Sequence, residues 1–172
     1  KNDFYDEEAY GEGVITGYAT LNDTPVYIVA QNVKVLSGGV SDANCKKIVK
    51  CLKKAGENGY PVIYLFDSLG VQVGEGVNVL EGIGEVLSLS SDLKGEVPQF
   101  SIVLGKLYGS FALLSANADY NFMTANSRVA YSSPLVISAR SGKNLPDDEV
   151  AGIKAGAKNG LTTFDIEDLK NA

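Results

Sequence analysis

Hydrophobic and polar positions change period several times along this chain, and each change marks an element. Val14–Leu21 and Pro25–Asn32 are rich in β-branched and aromatic residues and flank Asn22-Asp23-Thr24, the pattern of a β-hairpin. Val33–Leu36 reads as a short further strand before a Ser37-Gly38-Gly39 loop. From Ser41 the period becomes helical. Cys45, Ile48, Val49 and Leu52 fall on one face, Lys46, Lys47, Lys50, Lys53 and Lys54 on the other, and Gly56 or Gly59 supplies the stop. Pro61–Phe66 is an unbroken apolar run, the mark of a strand covered on both faces. A loop from Asp67 to Gly76 leads into a second helix with Val77, Leu80, Ile83, Val86 and Leu87 on one side. Gln99–Leu104 repeats the buried-strand signal, and Gly105–Ser110 opens a third helix, Phe111–Ala118. Tyr120–Thr124 and Val129–Ser132 read as two more strands, and Pro146 to Ala172 as a helical stretch with an acidic tail.

Strands alternating with helices predict right-handed crossovers and a largely parallel sheet flanked by helices, an α/β fold. No repeat of solenoid length and no long linker divides the chain. Residues 1–172 therefore read as one domain, with an acidic and aromatic lead-in at 1–12.

Composition narrows the chemistry. With 172 residues, 45% hydrophobic and 21% charged, the chain is globular and long enough for a real core, which rules out a disordered polymer. No apolar run approaches the ~18 residues that cross a bilayer. A net charge of −6 and a pI near 4.7 argue against nucleic acid or an anionic membrane as the main partner. The count of zero histidines excludes Ser-His-Asp and Cys-His mechanisms and any His-ligated zinc, haem or non-haem iron, and no metal site is expected. Asp147-Asp148-Glu149 follow Pro146 and read as a helix start, where acids suit the dipole. Cys45 and Cys51 on one helix point about 240° apart, so they cannot bridge. Two buried thiols, and a chain that starts at Lys1 with no charged-then-apolar leader, lead us to expect a cytoplasmic protein.

Two stretches share one design: a buried strand, a tight loop with glycine, then a helix. They are Leu65 to Gly70 and Leu104 to Phe111. Ligands in open α/β sheets sit beyond the carboxyl ends of strands, where helix N-termini point free N–H groups outward. Two such turns side by side would aim a pair of backbone amides at one oxygen, an oxyanion hole that needs no histidine. Ordinary strand-to-helix turns use glycine in the same way.

A resemblance adds to this reading. The stretches GEGVITGYATLNDTPVYIVAQN, KVLSGGVSDANCKKIVKCLKKAGENGYPVIYLFDSLG and VGEGV, then Asp119 to Met123 and the tail EVAGIKAGAKNGLTTFDIEDL, run in collinear order over nearly the whole chain. Together they resemble the acyl-CoA-binding lobe of the biotin-dependent carboxyltransferases, within the crotonase superfamily. The resemblance implies a crotonase-like ββα spiral and a coenzyme A thioester as substrate. Backbone amides would stabilise its enolate while carboxyl moves to or from biotin. It also implies a biotin carrier protein, a second carboxyltransferase lobe on another chain, and an oligomer with an exposed apolar dimer face. The family's Asp-Ser-Gly-Gly-Ala-Arg turn matches Asp67 to Gln72, which gives Gly70 the first amide. Its Ala-Gly-Gly-Ala turn matches Tyr108 to Phe111, which puts the second amide at Phe111 or Ser110. Ser68, Leu69, Tyr108 and Gly109 then become substrate-binding positions.

Here Leu69 stands in place of a glycine, Gln72 in place of the arginine, and Ser110 and Phe111 in place of Gly and Ala. At positive φ Leu69 would carry about 1–3 kcal/mol of strain, and Phe111 would narrow any acyl pocket it faced. These departures motivate a second reading, a non-catalytic scaffold subunit. A third is a hydratase using Glu81 and Glu85, four residues apart, as an acid/base pair. The Lys46–Lys54 cluster reads as a solvated helix face, with attraction of the phosphates of CoA as the alternative, and Glu75 and Gly76 would shape the loop rather than react.

Overall fold

The opening hairpin is β1 (Val14–Leu21) and β2 (Thr24–Gln31). Asn22 and Asp23 close it with φ of 46° and 62°, the left-handed pair that matches strand twist in a two-residue turn. This computed structural model describes residues 10–166, so the acidic lead-in lies outside the described residues up to residue 9, as does the tail after 166. Helix α1 (Asp42–Asn58) starts where Ser41 Oγ accepts the Asn44 N–H at 3.0 Å, and it ends at left-handed Gly59. There follow β3 (Val62–Ser68), α2 (Asn78–Asp92), β4 (Gln99–Tyr108), α3 (Ser110–Asn117), β5 (Tyr120–Thr124), β6 (Arg128–Ala130), α4 (Pro134–Ser141), α5 (Asp147–Ala151), α6 (Ile153–Lys158) and β7 (Phe164–Ile166).

The sheet runs β1-β2-β3-β4-β5-β7, with β6 beside the end of β4; β1 and β2 are antiparallel and the other pairs parallel. From β2 onward the strand order never reverses, so right-handed crossovers leave their helices on one face. On that face Val29, Tyr64, Phe66 and Met123 pack with Ile48, Leu52, Val79, Val86, Phe111 and Leu114 into the core. One buried polar cluster within it is paired. Gln99 Oε1 accepts from the Tyr64 and Ser90 hydroxyls at 2.9 and 2.8 Å, and Gln99 Nε2 donates to the Ser90 carbonyl at 2.8 Å.

The opposite face carries no crossover. Ile63, Phe100, Ile102, Phe122, Phe164 and Ile166 line an apolar trough of about 680 Å³ there, with Phe122 and Phe164 stacked at 5.1 Å. The expectation that Pro61–Phe66 is covered on both faces is therefore corrected: Val62, Tyr64 and Phe66 are buried, while Ile63 and Leu65 are half-buried. An apolar run reports that both faces avoid water, and not which element of the chain shields them.

Four other expectations change. Val33–Leu36 forms no strand; the chain turns there into a 3₁₀ turn, Leu36–Gly38, with Leu36 and Ser37 at φ 50° and 55°. The buried stripe of α2 is Val79, Ile83, Val86 and Ser90, whereas Val77 and Leu80 are exposed. Strand β4 continues to Tyr108 instead of stopping at Leu104. Helix α4 and strand β7 were not anticipated; Pro134 at the first turn and the Ser133 cap were the available signals for α4. Cys45 and Cys51 are buried free thiols on α1, as their spacing requires.

Candidate active site

Both glycine-bearing turns lie at the carboxyl end of the parallel strands. Strand β3 ends at Ser68, which pairs with Leu107 on β4, so the turns that follow are neighbours. A Cβ added to Gly70 would sit 3.4 Å from the Tyr108 carbonyl oxygen. The sequence-predicted residues Ser68, Leu69, Gly70, Tyr108, Gly109, Ser110 and Phe111 thus form one cluster.

The first turn is held from beneath by the 3₁₀ segment. Leu69 N–H donates to the Ser37 carbonyl at 3.2 Å, Val40 N–H to the Gly70 carbonyl at 2.9 Å, and Gln72 N–H to the Val40 carbonyl at 2.9 Å. Gln72, where the family turn has arginine, uses its side-chain Nε2 to donate to the Leu36 carbonyl at 2.8 Å. These bonds hold two successive non-glycine residues in the left-handed region, a conformation that costs about 1–2 kcal/mol each when unsupported. Gly70 N–H, the first expected donor, points to Ser68 Oγ at 3.1 Å. Ser68 itself is fully buried. A serine two residues before an amide forms this local turn readily, and the Ser-Leu-Gly spacing was the signal for it. Any acceptor approaching Gly70 N–H shares it with Ser68 or displaces that bond.

The second turn is more open. Gly109 N–H donates to the Ala130 carbonyl at 3.1 Å, and Ala112 N–H to the Gly109 carbonyl at 3.0 Å. The N–H groups of Ser110 and Phe111, the first two of α3, have no acceptor among the described residues. They are the orphan donors of a helix start, where the dipole favours developing negative charge.

The substitutions fit this backbone. Positive φ falls on Gly70 (115°) and Gly109 (80°), and not on Leu69, Ser110 or Phe111, so Leu69 carries no left-handed strain. Phe111 is 1% exposed and its ring packs edge-on against Phe66 at 6.2 Å. Its bulk lies in the core, away from the turn. Leu69 is 52% exposed. Val73, Val77, Leu80 and Leu113, in the loop that follows and on α2 and α3, are exposed as well. Tyr108 is buried against Ala130 and Ala151 with a hydroxyl that has no partner among the described residues; burial pushes its phenol up, with Asp147 adding and Arg128 opposing.

The remaining candidates sit elsewhere. Glu81 and Glu85 are exposed and Glu85 pairs with Lys53 at 3.0 Å, which removes the hydratase acid/base pair. Lys46 pairs with Asp42 and Lys54 with Glu57, while Lys47 donates to backbone carbonyls of Gly11 and Val14. The lysine face is thus largely paired, and at such exposure solvent screening leaves each pair little to add to stability. Glu75 is buried and accepts the Asp42 N–H at 2.7 Å, tying its loop to the start of α1. Asp147–Glu149 occupy the first turn of α5.

Comparison with known proteins places the chain in a family. The family model described as carboxyl transferase domain matches residues 1–172. The chain is 36% identical over 148 residues to the propionyl-CoA carboxylase beta chain of Roseobacter denitrificans, covering 86% of this chain and 29% of that one. It is 31% identical over 163 residues to the methylmalonyl-CoA decarboxylase subunit alpha of Veillonella parvula, covering 94% and 32%. A transcarboxylase 12S crystal structure with methylmalonyl-coenzyme A and methylmalonic acid bound superposes with a TM-score of 0.88 at 30% identity, over 91% of this chain and 31% of that one. The chain thus spans about a third of the length of these relatives. It belongs to the carboxyl transferase domain family.

Proposed function

We propose that this chain is the acyl-CoA-binding lobe of a biotin-dependent carboxyltransferase or decarboxylase. The observation that carries the reading is the meeting of two glycine-bearing turns, one ending in the unpaired amides of Ser110 and Phe111. Phe111 N–H and Gly70 N–H would donate to the thioester oxygen as negative charge develops on it, with the α3 dipole adding to the same effect. The α-carbon of that enolate would then be poised to exchange a carboxyl group with its carrier. Biotin supplies the carboxyl-carrying chemistry and comes on a separate carrier protein. No residue of this chain is needed as the acid or base at the reacting carbon, which suits a turn region without histidine.

A second carboxyltransferase lobe on another chain would cover exposed apolar residues such as Leu69, Val73, Val77, Leu80 and Leu113, making the working enzyme an oligomer. Two buried free thiols suit a reducing, cytoplasmic setting, and no described helix is long and apolar enough to cross a membrane. The conformational fit of Leu69, Ser110 and Phe111 favours an active site over a scaffold, because neither turn is distorted or plugged by its departures from the family pattern. Isothermal titration of the chain, alone and with its partner lobe, against short acyl-CoAs and free CoA tests the reading. Tighter binding of thioesters than of free CoA is expected; equal affinity, or no binding with the partner present, would refute it.

A further inference from the structure

Parallel strands in regular register advance in step. After the pair Phe66–Val103, Ser68 should therefore meet Gly105; it meets Leu107 instead. Strand β4 spends two extra residues in this interval. A surplus of two keeps the alternation of faces, so Leu107 remains buried as Val103 does. Such a bulge leaves ladder groups unpaired. One of them, the Lys106 N–H, donates to Asp67 Oδ1 at 3.1 Å. The Asp67 carboxyl group fills the notch above Gly105: a Cβ at that glycine would lie 2.3 to 2.6 Å from its three atoms. On the other side the Asp67 carbonyl oxygen covers Gly38, 2.1 Å from where a Cβ would stand. Asp67 is wedged between two chain segments that only glycine allows so close.

We propose that Asp67 is a positioning residue for the two amide donors, setting their separation by stabilising the two-residue bulge in β4. The proposal rests on the oxyanion reading of the two turns given above. Two residues of strand amount to about 6.6 Å, while two donors to one oxygen must each lie within about 3 Å of it. The bulge therefore decides whether Gly109 to Phe111 arrive beside Gly70 or a full side-chain repeat away. An acceptor oxygen at Oδ1 is the required feature, which asparagine retains and alanine lacks.

Amide hydrogen exchange of the chain, together with turnover of the assembled carboxyltransferase, tests this. Asp67→Ala is expected to speed exchange of the Lys106 amide at least tenfold and to lower kcat at least tenfold with KM for the acyl-CoA changed less than threefold; Asp67→Asn restores most of both. Unchanged Lys106 exchange in Asp67→Ala overturns the wedge, and Asp67→Asn behaving like Asp67→Ala overturns the acceptor argument. Faster exchange with unchanged kcat shows that the bulge is real but that the two turns are not the reacting site. Should Asp67→Ala fail to fold, Gly105→Ala displaces the carboxyl group while leaving it present, and the same two readouts decide.

Discussion

Gly109 offers a sharp test of whether the second turn is built by conformation. Its φ of 80° and ψ of −143° lie near a region that essentially only glycine occupies. A Cβ added there meets nothing within 4 Å, so Gly109→Ala adds strain without a clash. The strain should be about 1–3 kcal/mol, or a fall in Tm of roughly 2–12 °C at about 2–4 °C per kcal/mol for a chain of this size. Gly59→Ala is the matched control: φ is 66° and ψ 26° at the end of α1, also with open space around the Cβ, for about 1–2 kcal/mol. Both variants lose stability in thermal unfolding followed by circular dichroism. They should part in calorimetry with acyl-CoA, where Gly109→Ala weakens binding at least tenfold and Gly59→Ala, at the opposite end of the sheet, leaves it unaltered. A Gly109→Ala variant with wild-type Tm and affinity would show that the geometry of this turn is not imposed by its glycine.

Other perturbations follow from the same packing. Phe111→Ala removes a core ring packed on Phe66 and should cost about 3–5 kcal/mol in chemical denaturation, yet below its lowered Tm it should still bind acyl-CoA because the amide remains; complete loss of binding in the folded variant would contradict the assignment of the amide. Tyr64→Phe takes one donor from Gln99 Oε1, which keeps the Ser90 hydroxyl, and should cost about 1 kcal/mol, measured by urea unfolding. Burial pushes the Cys45 thiol up to about 12 and Cys51 up to about 11. Raised folded-state values mean that the thiols hold their protons in the native chain while the unfolded chain releases them above pH 9. Their contribution is fully present below pH 9 and is lost as pH rises through about 11 and 12. The slope is at most about 1.4 kcal/mol per pH unit for each thiol. Urea unfolding from pH 8 to 10.5 should show a shallower decline in a Cys45→Ala, Cys51→Ala chain than in the wild type.

Local chemistry made much of the fold legible. The Asn22-Asp23 turn, the Ser41 cap and Gly59 stop of α1, and the apolar runs of β3 and β4 all act over a few residues, and each appears where the sequence places it. The misses are non-local. The sequence cannot show that β4 bulges past Leu104, because the reason is a carboxylate on β3 filling the notch over Gly105. Nor does an apolar run at Pro61–Phe66 reveal that one of its faces meets helices and the other an open trough. The candidate site divides in the same way. Its glycines were readable as turns, but that Gly70 N–H rests on Ser68, and that Phe111 turns its ring inward, depended on packing across three strands.

Two backbone amides should converge on one thioester oxygen. A crystal structure of the chain with an acyl-CoA analogue whose sulfur is replaced by methylene measures this directly. The carbonyl oxygen should lie about 2.7–3.1 Å from both Gly70 N and Phe111 N, with the Gly70–Ser68 hydrogen bond lengthened or broken. A carbonyl oxygen bound elsewhere, with Gly70 N–H still on Ser68 and the first amides of α3 empty, would contradict it.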